Sequence, residues 1–271
     1  MTIVKKNRYL FAPPFCKTVE TFILPIPKSK FEAPNGLSIG AGWCYFDKIR
    51  VIQKKNDKYV EVVMTPSKLI SSSKTHCKSS LKNAEMHFEN IVKKRAAYSK
   101  CDMSRPHIMG VINLTPDSFY NNSKKQDYSS VKKTLKKMEN YGASIIDIGG
   151  ESSRPGSKII STREEQRRVI QIIKSLKQHN YKSLISLDTR NFSTMKMGYE
   201  SGVDILNDIT GFNNQNKIHF VSKNKIPIVV MHMQKNPKVM QNNPKYNFAP
   251  IDIYNFFFKK IDELVSMGVD L

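Results

Sequence analysis

The chain has 271 residues, enough for one large domain or two modest ones with a substantial buried core. Lys and Arg number 44 against 23 Asp and Glu, giving a formal net charge of +21. The basic residues are mostly Lys and scattered, without an Arg stripe, an aromatic ribonucleoprotein signature, or helix-turn-helix or zinc-finger spacing, so no nucleic-acid partner is expected. A positive field serves an anionic small substrate as well as it serves a polyanion.

Residues 1–105 read as a small α+β extension or accessory module. The basic start, Lys5-Lys6-Asn7-Arg8, precedes an apolar stretch too short for a signal peptide and broken by Pro13-Pro14. Residues 19–26 form a strand candidate, and 49–53 with 59–64 read as a hairpin turning at 54–57. The Ser- and Lys-rich residues 71–80 read as a linker, and 81–98 carry Leu81, Ala84, Phe88, Ile91 and Val92 at helical spacing. All four cysteines, Cys16, Cys44, Cys77 and Cys101, lie here without a CxxC pair, as free thiols of a reducing compartment would. No apolar run in the chain approaches the ~18 residues that span a membrane. A soluble, cytoplasmic protein with no membrane partner is the expectation.

From residue 106 the pattern becomes a regular alternation. Residues 108–112 form an apolar strand that stops in Asn113, Thr115, Pro116, Asp117 and Ser118. A helix follows, with Val131, Leu135 and Met138 on one face and Gly142 as its C-cap. Residues 145–148 are a second strand, ending in Gly149-Gly-Glu-Ser-Ser-Arg-Pro-Gly156, and Ser161-x-x-Glu164 opens the next helix as a capping box. Strands at 184–187, 204–206 and 226–231 end in Asp188-Thr189-Arg190, in Asn207-Asp208 and in His232-Met233-Gln234. A last helix places Ile253, Phe257, Ile261 and Leu264 inward and closes at Gly268. Strands followed by helices argue for parallel βαβ units. Polar groups at the C-terminal end of every strand favour a barrel over an open sheet, which gathers its ligand groups at one switch point.

The groups at these strand ends have complementary chemistry. Asp188 accepts hydrogen bonds, and the Asn207 amide both donates and accepts. Together they suit a planar heterocycle with an amino group beside a ring N–H, such as a pterin or guanine edge, although either residue alone serves equally as a strand cap. Asn113 offers an oxygen to a hard cation such as magnesium, or forms a turn. Segment 151–156 brings a guanidinium and hydroxyls suited to an anion, and Asp117 suits cation binding or loop closure. His232, flanked by Met231 and Met233, reads more readily as a packing residue than as a ligand.

These motifs resemble the dihydropteroate synthase family. They are Asn113-Leu-Thr-Pro-Asp-Ser-Phe119, Asp147-Ile-Gly-Gly-Glu-Ser-Ser-Arg-Pro-Gly156, Leu187-Asp-Thr189, Asn207-Asp-Ile-Thr-Gly211 and Met231-His-Met233, with Met240-Gln241, Pro244 and Tyr246 following. The resemblance implies a pterin-binding TIM (β/α)8 barrel that condenses a dihydropterin diphosphate with 4-aminobenzoate. It assigns Asp188 and Asn207 to the pterin, Asn113 to Mg2+ and the diphosphate, and Ser153 and Arg154 to a second loop near diphosphate and aminobenzoate. Asp117 and Phe119 fall in a mobile first loop, and Met231 lies against the substrate. By the same resemblance Asn113, Asp117 and Arg154 are the catalytic set, and a homodimer is admitted.

The chain departs from the family in two ways. The first loop lacks the glycines that often follow Ser-Phe. The later family motifs, an Asp-Pro-Gly strand end, a Ser-Arg-Lys segment and a final Arg-x-His, are absent. An eight-unit barrel takes roughly 250 residues, so about five units are expected here, and the chain alone is expected to catalyse the reaction poorly. The alternatives are a pterin-binding methyltransferase barrel, against which the diphosphate-type loops argue, and a non-catalytic pterin-binding fragment.

Overall fold

The computed structural model describes residues 4–5, 20–55, 58–73, 78–115, 128–152, 159–179, 181–235 and 243–271. The chain divides into two compact units, Met1–Ala97 with Asp102–Pro106, and Tyr98–Cys101 with His107–Leu271.

In the first unit the strands are β1 (Val4–Lys5), β2 (Glu20–Pro25), β3 (Leu37–Ser38), β4 (Tyr45–Phe46), β5 (Ile49–Lys55) and β6 (Lys58–Met64). Strands β3 and β4 pair separately, and the others form a sheet in the order β1-β6-β5-β2. The expected hairpin is β5–β6, antiparallel from Ile49 opposite Met64 to Lys55 opposite Lys58. The linker expected at 71–80 is overturned at both ends by α1 (Pro66–Ser73) and α2 (Lys78–Val92). Thr65 supplies the start that composition concealed. Its hydroxyl accepts from the Lys68 N–H at 3.3 Å, Pro66 sits in the first turn, and Leu69 is buried. Helix α2 stops at Val92, short of the expected 98. Ile23, Phe46, Ile49, Val51, Met64, Leu69 and Ala84 form this unit's core.

The second unit alternates strand and helix: β7 (Ile108–Asn113), α3 (Tyr128–Asn140), β8 (Ala143–Gly149), α4 (Thr162–Gln178), β9 (Leu184–Asp188), α5 (Phe192–Glu200), β10 (Ile205–Asp208), α6 (Gln215–Lys223), β11 (Ile228–Val230) and α7 (Ala249–Ser266). The five strands are parallel and lie in strictly sequential order, β7 to β11. A doubly wound sheet reverses its order at a switch point; this one does not, and it is five βα units of a (β/α)8 barrel. The Ser161 hydroxyl caps α4 by accepting from Glu164 N at 3.2 Å. The Glu164 carboxylate turns to Arg167 and Arg168, both at 2.8 Å.

Because side chains alternate along a strand, each strand has a helix face and an inner face. Ile112, Ile146, Ile148, Ile185, Leu187 and Leu206 pack with Val131, Leu135, Val169 and Ile173 of the helices. Ile145, Leu184 and Ile205 point inward, where buried Cys101 joins them, with Tyr98, Met109 and Val229 packed alongside. The Tyr98 hydroxyl donates to the Ile228 carbonyl at 3.0 Å, and burial pushes its pKa up to about 12. Residues 98–101 thus close the N-terminal end of the inner face, although sequence placed them in the extension. On α7 the buried positions are Ile251 and Leu264, whereas Ile261, expected inward, is 45% exposed.

Candidate pterin-binding site

Register brings the predicted residues together. Asn113 lies opposite Gly149, Gly149 opposite Asp188, Asp188 opposite Asn207, and Asn207 opposite Val229. One row therefore crosses all five strands on the inner face at their C-terminal ends, where barrels of this kind keep their chemistry. Gly149 leaves a gap in that row. A Cβ there would sit 3.0 Å from Asn113 Oδ1 and 3.6 Å from Asp188 Oδ2. The amide oxygen and the carboxylate thus converge on space that any other residue would fill.

One level below, toward the strand N-termini, Val111, Asp147, Ser186 and Ile205 form the next inner row. Asp147 is buried, and both its oxygens are engaged. Oδ1 accepts from Ser186 Oγ at 2.5 Å and Oδ2 from Asn207 Nδ2 at 3.2 Å. Burial raises its pKa, while the two donors work against that rise. Asp188 differs. Burial, and after it the charges of Asp147, Glu165, Asp208 and Glu151, push it up to about 7. A carboxyl poised near neutrality on a site floor is a functional signal in its own right.

The surrounding carboxylates are held elsewhere. Glu151 makes a bidentate pair with Arg190, at 2.9 Å from Nε and 3.0 Å from Nη2, and accepts from Ile160 N at 3.4 Å. That holds Ile160 beside Glu151. Glu165, buried on α4, accepts from Thr189 and Thr194 hydroxyls and from Asn191 Nδ2, fixing the turn after β9. Asp208 faces the helices. It pairs with buried Lys217 at 2.8 Å and accepts from Thr210 N and Phe212 N, which folds the turn after β10.

Of the residues expected at the site, Asn113, Asp188 and Asn207 share the row, and Met231 directly follows β11. The Met231 carbonyl lies 3.4 Å from a Cβ built on Gly211 in the β10 turn. Asp117, Phe119, Ser153 and Arg154 fall outside the described residues, as do Met240 and Gln241. His232 packs its ring against Phe256 at 4.7 Å, with Tyr246 at 5.9 Å, which suits the packing role read from sequence. The sequence motifs contain Asp147 without giving it a role, and they do not point to Ser186 or Glu165. Asp147 lies inside a strand rather than at its end, and its signal was a charged residue in an apolar run. Among the described residues no cluster of three or more His, Cys, Asp or Glu could hold a metal ion, and no helix is long and apolar enough to cross a membrane.

Residues 109–271 match the model of the pterin binding enzyme family. The dihydropteroate synthase of Escherichia coli K12 is 35% identical over 168 residues, covering 62% of this chain and 59% of that protein. The Haemophilus influenzae dihydropteroate synthase is 37% identical, covering 64% of this chain and 63% of its own length. The crystal structure of the Yersinia pestis dihydropteroate synthase in a sulfonamide drug complex superposes with a TM-score of 0.56 at 34% identity, covering 62% of this chain and 60% of that one. The chain spans about three fifths of the length of these relatives. The family match extends over every strand of the row that holds Asn113, Asp188 and Asn207, and the chain belongs to the pterin-binding enzymes.

Proposed function

We propose that this chain carries the pterin side of a dihydropteroate synthase, which joins (7,8-dihydropterin-6-yl)methyl diphosphate to 4-aminobenzoate. The C–O bond to diphosphate breaks, the arylamine nitrogen forms the new C–N bond and loses a proton, and pyrophosphate leaves. The observation that carries this reading is the row Asn113, Gly149, Asp188, Asn207, which sets hydrogen-bonding side chains beside a gap at the strand C-termini. Asp188 and Asn207 suit the amino and ring N–H groups of a pterin edge. The chemistry then needs positioning and charge neutralisation rather than a protein nucleophile.

Asn113 fits Mg2+ only as a partner to other ligands. It presents one neutral amide oxygen beside the Gly149 gap, which suits a cation that brings diphosphate oxygens and water with it. When bound, the cation would neutralise the leaving diphosphate. Ser153 and Arg154 take the diphosphate and aminobenzoate side, Asp117 and Phe119 the covering loop, and Met231 the pterin wall, all by their place in the family motifs. Calorimetry with the dihydropterin diphosphate, followed by product analysis after adding 4-aminobenzoate, tests the proposal. Pterin affinity that rises with Mg2+ supports it, and dihydropteroate formation supports it further. A folded chain with no pterin affinity, with or without Mg2+, overturns it.

A further inference from the structure

We infer that Asp147 is a positioning residue that fixes which end of the Asn207 amide the ligand meets, so that the site selects a ring offering donors over one offering acceptors. The inference rests on the pterin reading above and goes beyond it. The two ends of an Asn side chain are nearly isosteric, so an unconstrained Asn presents either its oxygen or its nitrogen. Asn207 is constrained. Its Nδ2 donates to Asp147 Oδ2 at 3.2 Å, and Ser186 Oγ, itself fully buried, donates to the other Asp147 oxygen at 2.5 Å.

Asp147 accepts at both oxygens, from Ser186 Oγ and from Asn207 Nδ2, so it meets the amide as an acceptor. Turning the amide over would set Asn207 Oδ1 against buried Asp147 Oδ2 at hydrogen-bond distance, lone pair against lone pair. The nitrogen is therefore committed to the lower row, and Oδ1 is left for the level of Asp188, its neighbour across the β9–β10 pair. A ligand edge at this level meets an amide oxygen beside a carboxyl group. A ring carrying an amino group satisfies that pair, whereas a carbonyl in the same place leaves Oδ1 facing another acceptor. Rejection of this kind follows because it sets the polar groups of the site against a ligand acceptor.

The test compares binding of 6-hydroxymethylpterin and 6-hydroxymethyllumazine, which carries a carbonyl in place of the 2-amino group. The full chain is titrated with each, without metal or phosphate. The wild type prefers the pterin by about tenfold or more, in keeping with readout of a donor by half-buried acceptors. Asp147→Ala frees the amide to turn over, so the preference falls toward unity while both rings still bind. Ser186→Ala unlocks one side of Asp147 with little change in packing and lowers the same ratio by a smaller factor. A merely structural role would weaken both ligands in parallel, and an unchanged ratio in folded Asp147→Ala overturns the inference while leaving the pterin reading intact. If Asp147→Ala does not fold, an unchanged ratio in Ser186→Ala does the same. A wild type without preference between the two rings also overturns it, and a wild type that binds neither ring overturns the pterin reading and this inference with it.

Discussion

Replacing Asp188 by Asn should stabilise the free protein above neutral pH while removing its pterin affinity. The Asp188 pKa stands at about 7 instead of 3.8, raised by burial and then by the charges of Asp147, Glu165, Asp208 and Glu151. A carboxyl raised in the folded state is harder to ionise there than in the unfolded chain. The stability tied to it is therefore full below pH ~4 and is lost as pH climbs through about 7. A shift of about three units at ~1.36 kcal/mol each sets a ceiling near 4 kcal/mol. Asp188 is partly open to the site, so solvent reduces this to about 1–3 kcal/mol. An amide of the same shape has no charge to lose, and a domain of this size gains about 2–4 °C per kcal/mol. Thermal unfolding of both proteins between about pH 3.5 and 8 should show nearly equal Tm at the acid end and the Asp188→Asn variant ahead by about 5 °C at the alkaline end. A difference that stays constant across that window would refute the argument, because a constant offset reflects packing and not ionisation.

The gap at Gly149 should tolerate no side chain. Gly149→Ala, whose Cβ would meet Asn113 Oδ1 at 3.0 Å and Asp188 Oδ2 at 3.6 Å, should fold normally and lose at least about tenfold in dihydropterin diphosphate affinity by calorimetry, a cost of ~1.4 kcal/mol. Lys217→Met leaves Asp208 buried without its ion-pair partner. Breaking such a pair costs about 3–5 kcal/mol, read as a lower urea midpoint, with the low end expected because Thr210 N and Phe212 N still donate to Asp208. Gly198→Ala on α5 would drive its Cβ into Leu187 Cδ2 on β9. Overpacking of that kind costs about 1–3 kcal/mol, visible in the same denaturation experiment.

What was legible in the sequence is what strand geometry makes legible. Apolar runs ending in Asn113, Asp188 and Asn207 announced both the strands and the row, because a parallel strand buried on both faces reads as a continuous hydrophobic stretch. Asp147 and Ser186 interrupt those runs, and the interruptions were the available sign of an inner polar layer beneath the row. Glu165 was hidden for a different reason. On a helix surface it looks like any first-turn acid, and its three donors, Thr189, Asn191 and Thr194, come from the turn and helix after the next strand. Periodicity is local, whereas this contact is fixed by tertiary packing. The same limit explains residues 98–101, whose place at the foot of the inner face depends on Ile145, Leu184 and Ile205, all distant in sequence. Ile261 repeats the lesson on α7, since helical spacing locates a stripe but does not supply a neighbour to cover it.

The carboxylates around the site are not equivalent, and their inequality predicts a proton. Glu151 has Arg190, Asp208 has Lys217, Glu165 has three neutral donors, and Asp147 has Ser186 and Asn207. Each of these four has donors that suit a carboxylate, so the repulsion they generate falls on Asp188, whose shift arises from burial and like charge alone. A ligand that brings N–H donors to Asp188 favours its ionised form and lowers its pKa. Binding should then release close to one proton near pH 6, about half a proton at pH 7, and almost none near pH 9, where Asp188 is already ionised in the free protein. Calorimetric titration of 6-hydroxymethylpterin in buffers of different ionisation enthalpy measures that number directly. Proton uptake at pH 7 would mean that the ligand accepts a hydrogen bond from a neutral Asp188. Such a ligand edge would carry an acceptor where the pterin reading requires a donor, and that outcome would sink the assignment of Asp188 to the pterin.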